Sequence, residues 1–221
     1  MRMRSSASIA LPEASPLEEA ANSVTHGAGL VLSILGTSLL LATTALNGTL
    51  LHLIGCGVFG TTLVLMYAAS TLYHGITAPH LKRIFRVLDH VAIYLFIAGS
   101  YTPFLLIHFG DSFGWALLVV IWSIALVGAV FKLFFTGRFA RLSVALYIGM
   151  GWLIVLSADR LLEAVPPGCL AWLTAGGLLY TGGVVFFAWK RLPYNHAIWH
   201  LFVLAGSICH YIAVVRYIAP L

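Results

Sequence analysis

The residues with the clearest chemical potential are His196 and His200, four positions apart in His196-Ala-Ile-Trp-His200. On a helix, residues i and i+4 share a face one turn apart. Two imidazole nitrogens so placed can bind one zinc ion, as in helices that carry HExxH. The glutamate of that motif is absent, so any base comes from elsewhere. Ser70-Thr-Leu-Tyr-His74 repeats the spacing with a hydroxyl one turn from a third histidine. A zinc held by His74, His196 and His200 has three nitrogen ligands and one open position, the arrangement of catalytic rather than structural zinc. Asp89 is then the natural partner for a water at that position, or an acceptor for a ligand imidazole. Ser70 hydrogen-bonds the same water or orients a ligand.

Bringing these residues together requires elements that fix their depth, and composition says what those elements are. Of 221 residues, 61% are hydrophobic and 9% charged, against about 25% charged in a soluble domain. So few charges cannot cover a soluble surface of this size. An aromatic content of 13% excludes a disordered chain. Three cysteines are too few, and odd in number, for a disulfide scaffold. A polytopic membrane protein remains, with a net charge of +5 that reports topology rather than a nucleic-acid partner.

Seven apolar segments of spanning length follow a polar start: 27–46, 51–74, 88–108, 114–135, 139–157, 169–189 and 196–218. A helical span needs about 20 apolar residues, whereas a spanning strand needs about half as many, so the fold class is all-α, a seven-transmembrane-helix bundle. Residues 1–25 form a cytoplasmic N-terminal segment with a short amphipathic helix near 16–26, and residues 26–221 the transmembrane domain. With the N-terminus inside, Arg2, Arg4, Lys82, Arg83, Arg86, Lys132, Arg138, Arg141, Lys190 and Arg191 lie inside, and only Arg160 and Arg216 outside. That split predicts a cytoplasmic N-terminus and an external C-terminus.

The topology places His26, Ser70, His74, Asp89, His196 and His200 together at the inner ends of four spans. Ionisable groups inside spans are functional candidates by default. Asp89 is the one acidic residue at an inner helix end beyond the N-terminal segment; its alternative partner is Arg86, one turn away. His80 falls in an inner loop. His90 follows Asp89 and points about 100° away from it. His52, His108 and His210, with Cys56, Cys169 and Cys209, lie toward the outer side, roughly 20 Å away at 1.5 Å of rise per residue. Pro103 ends a Gly99-Ser-Tyr-Thr-Pro103 run midway along the third span. Proline bends a helix and frees a carbonyl, so Ser100, Tyr101 and Thr102 are candidates to line a cavity.

Glu18-Glu19-x-x-Asn22-x-x-Thr25-His26-Gly27, Ser70-x-x-x-His74 with Asp89 downstream, Gly99-Ser-Tyr-Thr-Pro103 and His196-x-x-x-His200 together resemble the haemolysin III proteins, which group with the progestin and adiponectin receptors. The resemblance covers about residues 18–218, and the short N-terminus is similar to the bacterial branch. It implies a seven-helix bundle in a bacterial plasma (inner) membrane, with Zn2+ near the cytoplasmic face. The ligands it implies are His74, His196 and His200, with Asp89 reached through a water and Ser70 beside it. Glu19, Asn22 and His26 match the family's first motif and are expected to close the cytoplasmic mouth.

Three functions follow as expectations. The first, implied by ceramidase relatives, is a zinc-dependent hydrolase of a lipid amide or ester, with Asp89 as general base, Ser70 assisting and a membrane lipid as substrate. The second is a non-enzymatic membrane sensor or regulator in which zinc staples two helices. The third is cytolysis, which the family name suggests; seven built-in spans argue against it as a direct activity. No inverted repeat or pair of broken helices supports a transporter.

Overall fold

A computed structural model describes residues 14–219. It contains eight α-helices: α1 (Pro16–Asn47), α2 (Leu50–Gly75), α3 (Pro79–Ile107), α4 (Ser112–Phe135), α5 (Ala140–Gly151), α6 (Ala158–Ala164), α7 (Pro167–Ala188) and α8 (Asn195–Tyr217). A short 3-10 helix over Leu153–Ser157 joins α5 to α6, and the three pieces form one span. Among the described residues there are seven segments long and apolar enough to cross a membrane. The chain is a multi-pass membrane protein built as a helical bundle.

α1 starts where its chemistry says it should. Pro16 has φ preset for a first helical turn, and Ser15 and Glu18 form a reciprocal capping box. The stretch expected as a separate amphipathic helix near 16–26 is the first part of this same helix. Its polar residues face protein, so no break is needed where the apolar run begins at residue 27. α3 likewise begins at Pro79, nine residues ahead of its apolar run. His80, expected in a loop, therefore lies in its first turn, and Lys82, Arg83 and Arg86 are helical. Hydropathy marks only the part of a helix that lipid must solvate.

The irregularity expected at Pro103 lies elsewhere. α3 continues through Pro103 to Ile107, with Gly55 of α2 packed beneath it: a Cβ there would sit 2.9 Å from the proline Cα. The fifth span is the broken one. Non-helical backbone survives at membrane depth only where its polar groups are met by protein. Tyr101 meets them: its hydroxyl lies 3.0 Å from the Met150 carbonyl and 2.9 Å from that of Gly151, and accepts the Ile154 N–H at 3.3 Å. Trp152 adds a bond from its indole N–H to Thr181 on α7 at 3.0 Å. Thr102 faces away from this break and accepts the Trp122 indole N–H at 3.1 Å.

α2 packs along both α1 and α3, α3 along α4, and α7 along α8, while α5 touches its neighbours lightly. The tight core lies among α1, α2, α3 and α8, around Phe59, Tyr67 and Val214. The loose side, between α3, α5 and α7, leaves a cavity of about 2270 Å³.

Candidate metal centre

His74 ends α2, and His196 and His200 begin α8, so antiparallel neighbours bring them to one end of the bundle. One ligand atom from each lies within 4.8 Å of the others. Ring centroids are 5.0 Å apart for His74 and His196, 5.2 Å for His74 and His200, and 4.5 Å for His196 and His200. The rings meet at 55–70°.

The partners of these rings decide which nitrogen faces inward. His74 Nδ1 lies 2.6 Å from Glu19 Oε2. A carboxylate accepts, so Nδ1 carries the proton and Nε2 the lone pair. His200 Nδ1 lies 3.1 Å from the Asn22 carbonyl and 3.2 Å from the Thr25 hydroxyl. A carbonyl only accepts, so here too Nδ1 donates and Nε2 is bare. Nε2 of both His74 and His200 is buried without a hydrogen-bond partner among the described residues. Buried polar atoms are almost always paired. Ligands of a metal show this pattern, one nitrogen held by an acceptor and the other presented to the ion. The donor set of three imidazoles fits a transition metal with an open position.

α1 supplies this outer layer. Glu19, Asn22 and His26 recur at spacings of three and four, which places them on one helical face. All three line the cavity and contact the histidine group. Glu19 orients His74 and pairs with Lys82 at 3.3 Å; the Asn22 backbone orients His200. His26 stacks on His200 with centroids 3.4 Å apart and planes 11° from parallel, and its Nδ1 lies 2.7 Å from Ser70 Oγ. Glu18 accepts the Tyr194 N–H at 3.1 Å. Tyr194 has φ 56°, a left-handed conformation that non-glycine residues adopt at a cost. The turn that starts α8, and with it His196, is thus tied to α1.

Ser70 is buried, 1% exposed, and engaged by His26. Asp89 lies outside the three-histidine group but lines the same cavity as His74 and His196. Its carboxyl lies 3.7 Å from His90 Nδ1, so the two adjacent side chains are closer than helix geometry alone suggests. The alternative ion pair with Arg86 does not form. The Arg86 guanidinium instead lies against Gly137, where a Cβ would be 3.1 Å away. Sequence reasoning missed Thr25 and Lys82. Thr25 stands inside the recognised motif, and Lys82 becomes visible once Pro79 is taken as the first residue of α3.

The cavity runs from His74 and His196, past Asp89, Ile97 and Tyr101, to Phe109 and Val165 at the far end. Ligand pockets usually measure about 300–1,000 Å³, and this cavity is larger.

Residues 15–211 match the family described as haemolysin-III related. The chain is 46% identical to Hemolysin-3 of Bacillus cereus over 92% of its own length and 93% of the relative's. It is 43% identical to a Hemolysin-3 homolog of Bacillus subtilis, covering 90% and 94%. It is also 31% identical to the human monocyte to macrophage differentiation factor, covering 91% and 84%. With its bacterial relatives pointing to the plasma membrane, this multi-pass membrane protein belongs to the haemolysin III family.

Proposed function

We propose that the protein is a zinc-dependent hydrolase of a lipid amide or ester. The observation that carries this reading is the pair of buried, unpartnered Nε2 atoms on His74 and His200, with His196 beside them. His74, His196 and His200 would hold the ion. Zinc in such a site polarises a carbonyl and lowers the pKa of water toward neutrality. Asp89 lines the cavity where a lipid carbonyl reaches the three histidines, and accepts the proton released there. Ser70, held by His26, donates a hydrogen bond to the substrate or to Asp89. Glu19 and Asn22 hold the ligand rings against rotation. The apolar length of the cavity takes the acyl chain and keeps bulk water from it. The basic end of the bundle, and with it the site, faces the cytoplasm by the positive-inside rule.

Two measurements test this. Metal analysis of the purified protein should find zinc in the wild type and none in a His196→Ala, His200→Ala variant; equal metal in both removes the reading. Ceramide-like amides should then be turned over by the zinc-loaded protein and not by a His74→Ala, His196→Ala variant.

A second reading is a membrane sensor in which zinc only joins helices. It is favoured by the scarce backbone contact between α2 and α8, which the three histidines bridge. On this reading the same substitutions lower the melting temperature and remove no turnover. Lysis, which the names of the Bacillus relatives suggest, is on either reading an indirect result of a disturbed membrane, because a seven-span protein has no ready route into another cell's bilayer.

A further inference from the structure

Positive charge at one end of a membrane bundle is expected from topology. Here that charge surrounds one large cavity. Arg83 and Arg86 on α3, Lys132 on α4, Arg138 in the turn after it, and Arg141 on α5 line the large cavity, as do Lys82, Lys190 and Arg191. The first five come from α3, α4, α5 and the turn between α4 and α5, on the loose side of the bundle. Among the described residues, only Lys82 and Arg160 of all the lysines and arginines lie within ion-pairing distance of a carboxylate. The five therefore make no ion pair with a protein carboxylate, although Glu18, Glu19 and Asp89 line the same cavity.

Lys132 is the telling member. It is 1% exposed, lines the cavity, and its ammonium has no hydrogen bond or ion pair among the described residues. A lysine placed only by topology snorkels, keeping its head in water. A buried charge without a partner is costly, and such a group persists where the counter-charge arrives with a ligand. Arg86 stands beside it, its guanidinium against Gly137. Gly137 has φ +85°, a conformation that disfavours any side chain there, and a Cβ would crowd the guanidinium. A planar guanidinium next to an ammonium is the usual protein answer to a phosphate group.

We infer that the cavity mouth is a binding site for the phosphate headgroup of an anionic phospholipid, held by Lys132 and Arg86 with Arg83, Arg138 and Arg141 around them, while the acyl chains extend along the cavity. This deepens the hydrolase reading by naming an acylated, phosphate-bearing lipid as the substrate class. The binding itself needs no turnover, so the two ideas fail separately.

The test uses the full chain in phosphatidylcholine nanodiscs doped with phosphatidic acid, with bound lipid identified by native mass spectrometry. Phosphatidic acid should be retained at least about tenfold over phosphatidylcholine, and Lys132→Met and Arg86→Gln should each lower that preference about tenfold, as loss of a charge-assisted bond does. Arg160→Gln, which removes a positive charge far from the mouth, should leave it unchanged. Metal content and melting temperature report whether Lys132→Met folds; if it does not, the exposed Arg86 carries the test. Equal retention of the two lipids overturns the inference, as does an equal loss in Arg160→Gln, which would mean bulk charge. Displacement of phosphatidic acid by millimolar inorganic phosphate would assign the site to the free anion and overturn the lipid reading. Persistent phosphatidic acid binding without its hydrolysis would leave this site standing and remove phosphatidic acid as the substrate, while the ceramide-like amides decide on the hydrolase itself.

Discussion

Two buried polar clusters share α2 and α8, and they differ in one respect. At the site end, His74 and His200 each have one ring nitrogen held and the other bare. Seven residues further along the same face of α8, Ser207 receives the Tyr67 hydroxyl at 2.9 Å and meets the Tyr180 hydroxyl at 3.0 Å. That second cluster is closed: each hydroxyl has a partner, and the three side chains join α2, α7 and α8. The Tyr67 ring touches both clusters, since His26 packs edge-on against it at 5.1 Å. The contrast teaches how to separate structure from chemistry among buried polar residues. A satisfied network locks helices together, whereas one with inward-facing orphans is built for something the protein itself does not supply.

The comparison can be broken at several places. The largest effect is expected for His200→Ala, which should abolish metal retention through dialysis; metal bound at wild-type level would mean the open cluster is as closed as the other. Next comes Glu19→Gln, which leaves all three ligands in place but removes the carboxylate from His74 Nδ1. It should weaken metal affinity by about 10–100-fold, read by competition with a chelator. An unchanged affinity would reduce Glu19 to a helix-end charge. Ser207→Ala should act the other way round: two tyrosine hydroxyls lose their partner, stability falls by about 1–3 kcal/mol in thermal or denaturant unfolding, and metal content stays the same. Metal loss in that variant would show the clusters to be one unit. The smallest effect is expected for Arg160→Gln. Its ion pair with Asp111 is 54% exposed on both sides, and surface pairs contribute little, so neither melting temperature nor metal should move measurably.

Much of this is legible in the sequence, for reasons that differ by residue. The seven spans could be read because lipid imposes a length and a composition on whatever crosses it. His196 and His200 could be paired because four residues is a helical turn. His74 joined them because alternating spans fix depth. Hydropathy failed where protein rather than lipid surrounds a segment: the first turns of α1 and α3 are polar and helical at once. It also missed the break in the fifth span, because Gly149 and Gly151 read as ordinary small residues until Tyr101, some fifty positions earlier, is seen capping the freed carbonyls. Pro103 misled in the opposite direction, since Gly55 lets α2 close over it.

The sequence by itself determined that this is a helical bundle in a membrane and which residues share an end of it, three histidines among them. Those conclusions follow from period, length and charge, which are local properties. Only the tertiary structure decided which nitrogen His74 and His200 present, that Asp89 lies beside His90 instead of pairing with Arg86, and that Lys132 is buried without an ion pair. Each of these depends on which side chain of another helix lies within about 3 Å, the reach of a hydrogen bond, and no pattern along a single helix carries that information.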